Sequence, residues 1–281
     1  MPRASPLALL GMTLLLLLRP ACAGCPARLA PGHHDLRMPI EADGVTWERQ
    51  FSVFVPEGLA GAAPSVMMWH GCGSDVEKFQ SESGMNDRVG RFGFVAIWPR
   101  GTSAALSPAD QHRCRSTGSV RCGWNSGYPE GGGCQTPDSP RPDDVEFTKR
   151  ILSWMDDNLC VDAQRRFMAG FSKMVYKLNC ELSQHFAGMM TLGMAARPAT
   201  TPGLAECQPQ KKIAALNLCG SVDRVSHCFA DGRFDAQLTA FAEHNVCGGV
   251  RPPHRYRPPM VPAVMDTTRT EVSSTSYCSS C

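Results

Sequence analysis

Short apolar runs alternate with amphipathic stretches along most of this chain, and this alternation constrains its fold more than any other feature. The runs at residues 64–75 and 94–101 are continuously apolar and end in Gly or His, which is typical of buried strands. Residues 76–93 and 142–159 have apolar side chains at helical spacing. Strands that alternate with helices predict a mainly parallel sheet covered by helices on both faces.

The alternation continues on both sides of these segments. We predict further strands at 47–58, 165–171, 186–193 and 211–221, helices at 174–186 and 233–245, a proline-rich connector at 251–264 and the start of a strand within 266–281. A polar insert at about 102–143, rich in Gly, Pro, Ser and Cys, interrupts the pattern. A structureless segment of that length inside a domain is uncommon and often functional.

The N-terminus has the layout of a secretory signal peptide. A basic start is followed by the apolar run 7–18 and by Ala21-Cys22-Ala23, a small-residue cleavage site. The run is too short to span about 30 Å of hydrocarbon. We therefore expect a signal peptide at 1–23, a secreted protein with no membrane partner, and a single domain at 24–281. The net charge is +2 with no basic block, which gives nucleic-acid binding no electrostatic support.

Cysteine supports an oxidising compartment. The chain has 14 cysteines, and one of them, Cys22, falls in the predicted signal peptide. Behind a signal peptide, such a content indicates disulfides, although spacing alone does not give their connectivity. After the predicted signal peptide the single C-x-x-C, Cys278 to Cys281, has no second pair at zinc-finger spacing, so we expect no metal site.

Ser172 has the setting of a hydrolase nucleophile. The predicted strand ends in Gly170-Phe171-Ser172 and a helix pattern follows at once. A strand–turn–helix of the form Gly-x-Ser-x-Gly lifts its serine to the top of a sheet, and the helix N-terminus favours negative charge there. The pattern is incomplete, because Met174 occupies the last position.

Two more turns follow predicted strands. The glycine turn His70-Gly71-Cys72-Gly73 has the form that supplies backbone N–H groups to an oxyanion hole. Asp223 ends "CGSVD" after a later strand, where an acid can orient a catalytic histidine, although a turn or helix-cap role is the simpler interpretation.

These segments together resemble the secreted α/β-hydrolase esterases that group feruloyl esterases with polyhydroxybutyrate depolymerases. The resemblance covers about residues 45–247 and is most specific over 142–183. The insert sequence at 121–134 resembles the Cys- and Gly-rich insert of the feruloyl esterases. It implies an α/β-hydrolase fold with a mainly parallel sheet and a Cys/Gly-rich insert, C-terminally incomplete, truncated or divergent after about residue 250.

The resemblance also implies the chemistry and its residues. It implies ester hydrolysis by acyl transfer with no metal and no cofactor, on cell-wall polysaccharide esters or, as an alternative, on a polyester. Ser172 is then the nucleophile and Asp223 the acid. The oxyanion hole is formed at Gly71, Cys72 and Lys173. Trp124 and Tyr128 of the insert are candidate substrate-binding residues, with packing of the insert as the equal alternative.

Two departures leave the activity open. Lys173 and Met174 stand where the elbow of these esterases has small residues, and bulky side chains are unfavourable in a strained turn. No histidine occupies the usual position in a late Gly-rich loop, and His254 is the candidate base that follows Asp223 in the right order. The alternative to a working esterase is an inactive hydrolase fold kept as a secreted binding protein. A small disulfide-stapled binding module is a weaker third interpretation.

Overall fold

The computed structural model describes residues 29–59, 61–126, 142–193, 209–220, 254–256 and 272–276. Of residues 219–220, 254–256 and 272–276 it describes the backbone alone. Several sequence predictions fall outside these ranges: the signal peptide at 1–23, the helix at 233–245, Tyr128 and Asp223.

Within these ranges nine strands form one sheet in the order β1-β2-β4-β3-β5-β6-β7-β9-β8. The strands are β1 Gly32–Ala42, β2 Val45–Val55, β3 Ala63–Trp69, β4 Val95–Pro99, β5 Val161–Phe171, β6 Gly188–Leu192, β7 Ala214–Gly220, β8 His254–Tyr256 and β9 Val272–Ser276. Strands β3 to β7 run parallel to one another, whereas β1, β2 and β9 introduce antiparallel pairs at the two sides.

Four helices of the described part pack on this sheet: α1 Val76–Ser83, α2 Met85–Phe92, α3 Asp144–Asn158 and α4 Met174–Leu182. β5 is central and leads directly through Ser172 into α4. A mainly parallel sheet with helices on both faces and a sharp strand-to-helix turn at a central strand is the predicted α/β-hydrolase fold, which is thereby confirmed.

The core consists of two apolar layers, one on each face of the sheet. Adjacent residues of β3 alternate between them: Met67 belongs to the layer that contains α3 and α4, and Met68 to the layer that contains α1 and α2. Ile97 and Trp98 of β4 divide in the same way. Because both faces are buried, these strands read as continuous apolar runs and not as alternating ones.

The structure differs from the sequence predictions in three places. Residues 76–93 form two helices, because Gly84 adopts a left-handed backbone with φ 59° that ends α1. Strand β1 was not predicted; its side chains are mostly half-exposed, so its apolar signal is weak. The proline-rich connector contains the three-residue strand β8. No helix of the described residues is long and apolar enough to cross a membrane.

Candidate active site

Ser172 occupies a sharp turn between β5 and α4. Its φ is +76°, in the left-handed region that non-glycine residues rarely adopt. The Ser172 N–H donates to the carbonyl oxygen of Leu192 at 2.9 Å, which ties the turn to the end of β6. The residue is half-buried. Ser172 therefore has the strained backbone that a nucleophile elbow requires.

Gly170 is the residue that permits this turn to pack. A Cβ at position 170 would lie 2.6 Å from the Trp69 carbonyl oxygen and 2.7 Å from Cγ2 of Val175. Strand β3 on one side and helix α4 on the other thus leave no space for a side chain. This is the close strand–helix packing for which the first glycine of the motif is needed.

Lys173 and Met174 do not obstruct the elbow as the sequence suggested. Lys173 has ordinary right-handed backbone angles (φ −76°, ψ −24°), and helix α4 begins at Met174. The Met174 and Val175 side chains are buried in the core, with 1% and 0% of their surface exposed. The strain is confined to Ser172, so the glycines missing after it are not needed for this geometry.

The glycine turn lies beside the elbow at the same edge of the sheet. Trp69 and Gly170 are register partners on β3 and β5, so the residues that follow them are neighbours. A Cβ on Gly71 would lie 2.7 Å from Cδ1 of Phe171. The Gly73 N–H donates to the Cys122 carbonyl oxygen at 2.8 Å, whereas no acceptor among the described residues takes the Gly71 N–H. Gly71 therefore retains a backbone donor next to Ser172.

His70 shapes this turn from inside the protein. Its ring is buried, with Nδ1 2.9 Å from the Gly71 carbonyl oxygen and Nε2 accepting the Gly101 N–H at 3.1 Å. Burial lowers the pKa of His70 to about 4, despite the opposing effect of the Gly71 carbonyl. The neutral ring thus donates through Nδ1–H and accepts through Nε2. Neither ring nitrogen is left to accept the proton of a catalytic serine.

The first part of the insert is attached to the glycine turn. Trp124 is buried, and its indole N–H donates to the His70 carbonyl oxygen at 2.7 Å. The Cys114–Cys122 disulfide closes the segment in front of it. Cys72, Cys160 and Cys180 are disulfide-bonded as well. In this placement Trp124 supports the turn, which agrees with the packing alternative for this residue.

A buried ion pair holds the first part of the insert at Asn125. Arg49 Nη2 lies 2.7 Å from Asp144 Oδ1, and both side chains are fully buried. Asp144 Oδ2 accepts the Asn125 N–H at 2.5 Å, and Arg49 Nη2 donates to the Arg100 carbonyl oxygen at 3.0 Å. Asp143, and not Asp144, caps helix α3 by accepting two N–H bonds. The pair joins β2, β4, α3 and the insert.

A polar cluster behind the elbow was not predicted. Asn217 Oδ1 on β7 accepts the Tyr176 hydroxyl at 2.9 Å and the Thr191 hydroxyl at 2.5 Å. All three side chains are buried. They connect α4 to β6 and to β7, the strand that leads toward Asp223. The only sequence signal for this cluster is a polar residue inside each apolar segment.

The structure does not bring a histidine to Ser172 within the residues it describes. His254 begins β8. Three strands, β6, β7 and β9, lie between β5 and β8, so β5 and β8 are about 19 Å apart at about 4.8 Å per strand. As a correction to the sequence prediction, His254 therefore does not lie beside Ser172. His185 follows the C-terminal end of α4, at the opposite edge of the sheet. His112 lies in a 3-10 helix with Nδ1 at the Ala109 carbonyl oxygen.

Comparison with known proteins finds a weak sequence similarity to an esterase. Feruloyl esterase B of Piromyces equi is 24% identical over 182 residues, which are 63% of this chain and 30% of that protein. The chain is similar to feruloyl esterases, as the sequence motifs predicted. It spans under a third of that relative's length. No protein-family model matches the chain.

Three of the solved structures that superpose on part of the chain do so at low similarity. Native pOPH is 20% identical with a TM-score of 0.42, covering 64% of this chain and 56% of that one. Acetyl xylan esterase from Aspergillus awamori is 17% identical with a TM-score of 0.36, covering 51% and 46%. A thermostable esterase is 13% identical with a TM-score of 0.46, covering 75% and 52%.

Proposed function

We propose that this chain is a secreted carboxylic ester hydrolase that acts by acyl transfer through Ser172. The observation that carries the proposal is the left-handed φ of +76° at Ser172, beside the glycine turn that begins at His70. A strained non-glycine residue persists only where its surroundings hold it, and such residues cluster at active sites. The similarity to a feruloyl esterase supports the same chemistry.

The reaction begins at the Ser172 hydroxyl. Its oxygen attacks the ester carbonyl carbon while its proton passes to a histidine base, and the carbonyl oxygen becomes an oxyanion. The backbone N–H groups of Gly71, Cys72 and Lys173 are the proposed donors to that oxyanion. Breaking the ester C–O bond releases the alcohol with the proton, and water then hydrolyses the acyl-serine.

The proposed triad is completed outside the described residues. Asp223 is the proposed acid, and the segment after β7 that contains it also contains His227 and His244. These two histidines replace His254 as the candidates for the base, because β8 lies four strands from β5. The Tyr176–Asn217 hydrogen bond would then hold the helix after the nucleophile against the strand before the acid.

We propose a feruloyl-type ester on a cell-wall polysaccharide as the substrate. The support is the resemblance of the insert and the match to feruloyl esterase B; a polyester remains the alternative. Secretion is proposed on the apolar N-terminal run and on the five described cysteines that are disulfide-bonded, since disulfides persist in oxidising compartments.

An inactive binding protein is the second candidate. It is favoured by one observation: no hydrogen bond joins the Ser172 hydroxyl to any residue that the structure describes. A serine without a base retains only the catalysis of the oxyanion hole and of substrate binding. Such a protein would bind an ester without appreciable turnover.

Hydrolysis by the mature protein decides between the two. Initial rates on methyl ferulate and 4-nitrophenyl acetate are compared for wild type, Ser172→Ala and a control, Ser83→Ala, which alters an exposed serine of α1. We expect Ser172→Ala to lose about a thousandfold or more in rate and the control to lose nothing. Equal rates in wild type and Ser172→Ala would contradict the esterase proposal. Absence of turnover together with no labelling of Ser172 by a fluorophosphonate, which reacts with an activated serine, would favour the binding protein.

A further inference from the structure

Arg121 lies directly over the glycine turn. The position that a Cβ at Gly73 would take is 3.1 Å from Nη2 and 3.4 Å from Nε of Arg121. The next residue of the insert, Cys122, accepts the Gly73 N–H and is joined to Cys114 by a disulfide. The backbone at Arg121 is thus anchored to the turn, and the absent side chain of Gly73 leaves room for the guanidinium.

The charge of Arg121 is unpaired among the residues that the structure describes. Neighbouring arginines have acidic partners: Arg100 and Arg115 pair with Glu77 at 2.5 and 3.0 Å, and Arg113 pairs with Asp110 at 3.6 Å. Arg121 is exposed and makes no ion pair or hydrogen bond there. None of the five N–H donors of its guanidinium is taken by a residue that the structure describes.

The acidic groups closest in sequence to the turn do not offset this charge. Both oxygens of Asp75 accept backbone N–H groups, from Lys78 and Ser116, each at 2.9 Å. Glu77 is shared by two arginines. The mouth of the turn consequently presents a positive group that no described carboxylate neutralises.

We propose that Arg121 binds a carboxylate of the substrate, so that the preferred esters carry a negative charge near the ester bond. The inference rests on the proposed function and names a substrate class for it. A planar guanidinium matches a carboxylate with two parallel hydrogen bonds. Gly73 lies two positions after Gly71, a reach of up to about 7 Å, so the charge sits a few bonds from the carbonyl that Gly71 would bind. Arg121 is a specificity-determining residue and does not touch the reacting atoms.

The carboxylate can belong to the acyl part or to the alcohol part, and two matched substrate pairs distinguish these sources. The acyl pair is 4-nitrophenyl hemisuccinate and 4-nitrophenyl butyrate. The alcohol pair is acetylated methyl glucuronoside and acetylated methyl glucoside. Each pair is assayed with wild type, Arg121→Gln, Arg121→Lys and Arg88→Gln, which removes an exposed cation from helix α2.

We expect Arg121→Gln to reduce kcat/KM about fivefold for the charged member of one pair and to leave its neutral partner unchanged. Arg121→Lys should retain part of the preference, and Arg88→Gln all of it. If Arg121→Gln loses the preference in both pairs, Arg121 binds a carboxylate on the acyl part as well as on the alcohol part of the ester. If wild type cleaves the neutral esters through Ser172 but Arg121→Gln discriminates as wild type does, the inference is overturned and the esterase proposal stands.

A binding measurement keeps the inference testable if wild type cleaves nothing. The probes are succinic acid mono-4-nitroanilide and methyl glucuronoside, which contain no ester, and their dissociation constants are measured by calorimetry. About fivefold weaker binding of one probe by Arg121→Gln than by Arg88→Gln supports the carboxylate site without turnover. Equal binding by both variants, or none by wild type, overturns it.

Discussion

The indole N–H of Trp124 donates a 2.7 Å hydrogen bond to the carbonyl oxygen of His70, and the two rings lie 4.9 Å apart. Trp124 belongs to the insert and His70 to the turn that follows β3, 54 positions earlier in the chain. The insert is thus part of the support of the proposed oxyanion hole. Catalysis and insert structure should therefore respond to the same substitutions.

Trp124→Phe should lower kcat about three- to tenfold and change KM little. Phenylalanine keeps an aromatic ring at this position but cannot donate to the His70 carbonyl oxygen. Loss of this hydrogen bond costs about 1 kcal/mol and makes the backbone N–H donors of the glycine turn less well positioned for the transition state. Steady-state kinetics on 4-nitrophenyl acetate measure both constants. Trp154→Phe, in α3 against Phe51, is the control and should leave kcat unchanged. An effect on KM alone would instead indicate that Trp124 contacts substrate.

Protonation of His70 should destabilise the fold in acid. The unfolded chain binds this proton near pH 6.5, whereas burial lowers the pKa in the folded state to about 4. The unfolded state therefore holds more protons in this interval, and stability falls as the pH drops from about 6.5 to about 4. The loss amounts to about 3 kcal/mol.

Urea unfolding at pH 7, 6, 5 and 4.5 measures this dependence. Carboxylates titrate in the lower part of the same range, so wild type is compared with His70→Gln at each pH. The difference between their unfolding free energies should shrink by about 3 kcal/mol toward pH 4. A constant difference would show that folding does not lower the pKa of His70.

Ser172→Gly should be more stable than Ser172→Ala and equally inactive. A left-handed φ costs a residue with a Cβ about 1 kcal/mol, which glycine avoids. Both variants lack the hydroxyl, so their rates provide the matched comparison. Thermal unfolding should give Ser172→Gly the higher Tm. If Ser172→Ala were the more stable variant, the strained backbone at this position would be contradicted.

Arg49→Met should destabilise the protein by about 3–5 kcal/mol, because it leaves Asp144 buried without its cation. The double variant Arg49→Met/Asp144→Leu should recover much of this loss. Arg150→Met is the control: its pair with Glu146 is largely exposed and should contribute under about 1 kcal/mol. Denaturant unfolding measures all three, and similar losses for Arg49→Met and Arg150→Met would refute the role of the buried pair.

Much of the sheet could be predicted because its information is local. The runs around Met67 and Ile97 are apolar on both faces, so parallel strands covered by helices follow from composition alone. The turn at Ser172 was predicted because strand, small residues and helix are contiguous. The break at Gly84 was missed, since a glycine within a helical pattern is compatible with continuation or with a C-cap.

The contacts that shape the site were harder to predict because they join distant parts of the chain. Arg49 and Asp144 are 95 positions apart, and neither residue shows from its neighbours that it is buried. Trp124 could line a substrate surface or pack the insert, and only the position of His70 separates these roles. The effect of Lys173 was misjudged because the pattern assigned strain to the whole turn, whereas the fold concentrates it at Ser172.

Gly101 directly precedes the insert, and together with Thr102 and Gly123 it forms the stem of the insert. A Cβ there would lie 2.6 Å from the Gly123 carbonyl oxygen and 2.8 Å from the His70 ring, so the stem is closed without spare volume. Thr102 and Gly123 seal it with two backbone hydrogen bonds. Evolution can therefore vary the exposed side chain of Arg121, whereas the stem itself tolerates almost no change.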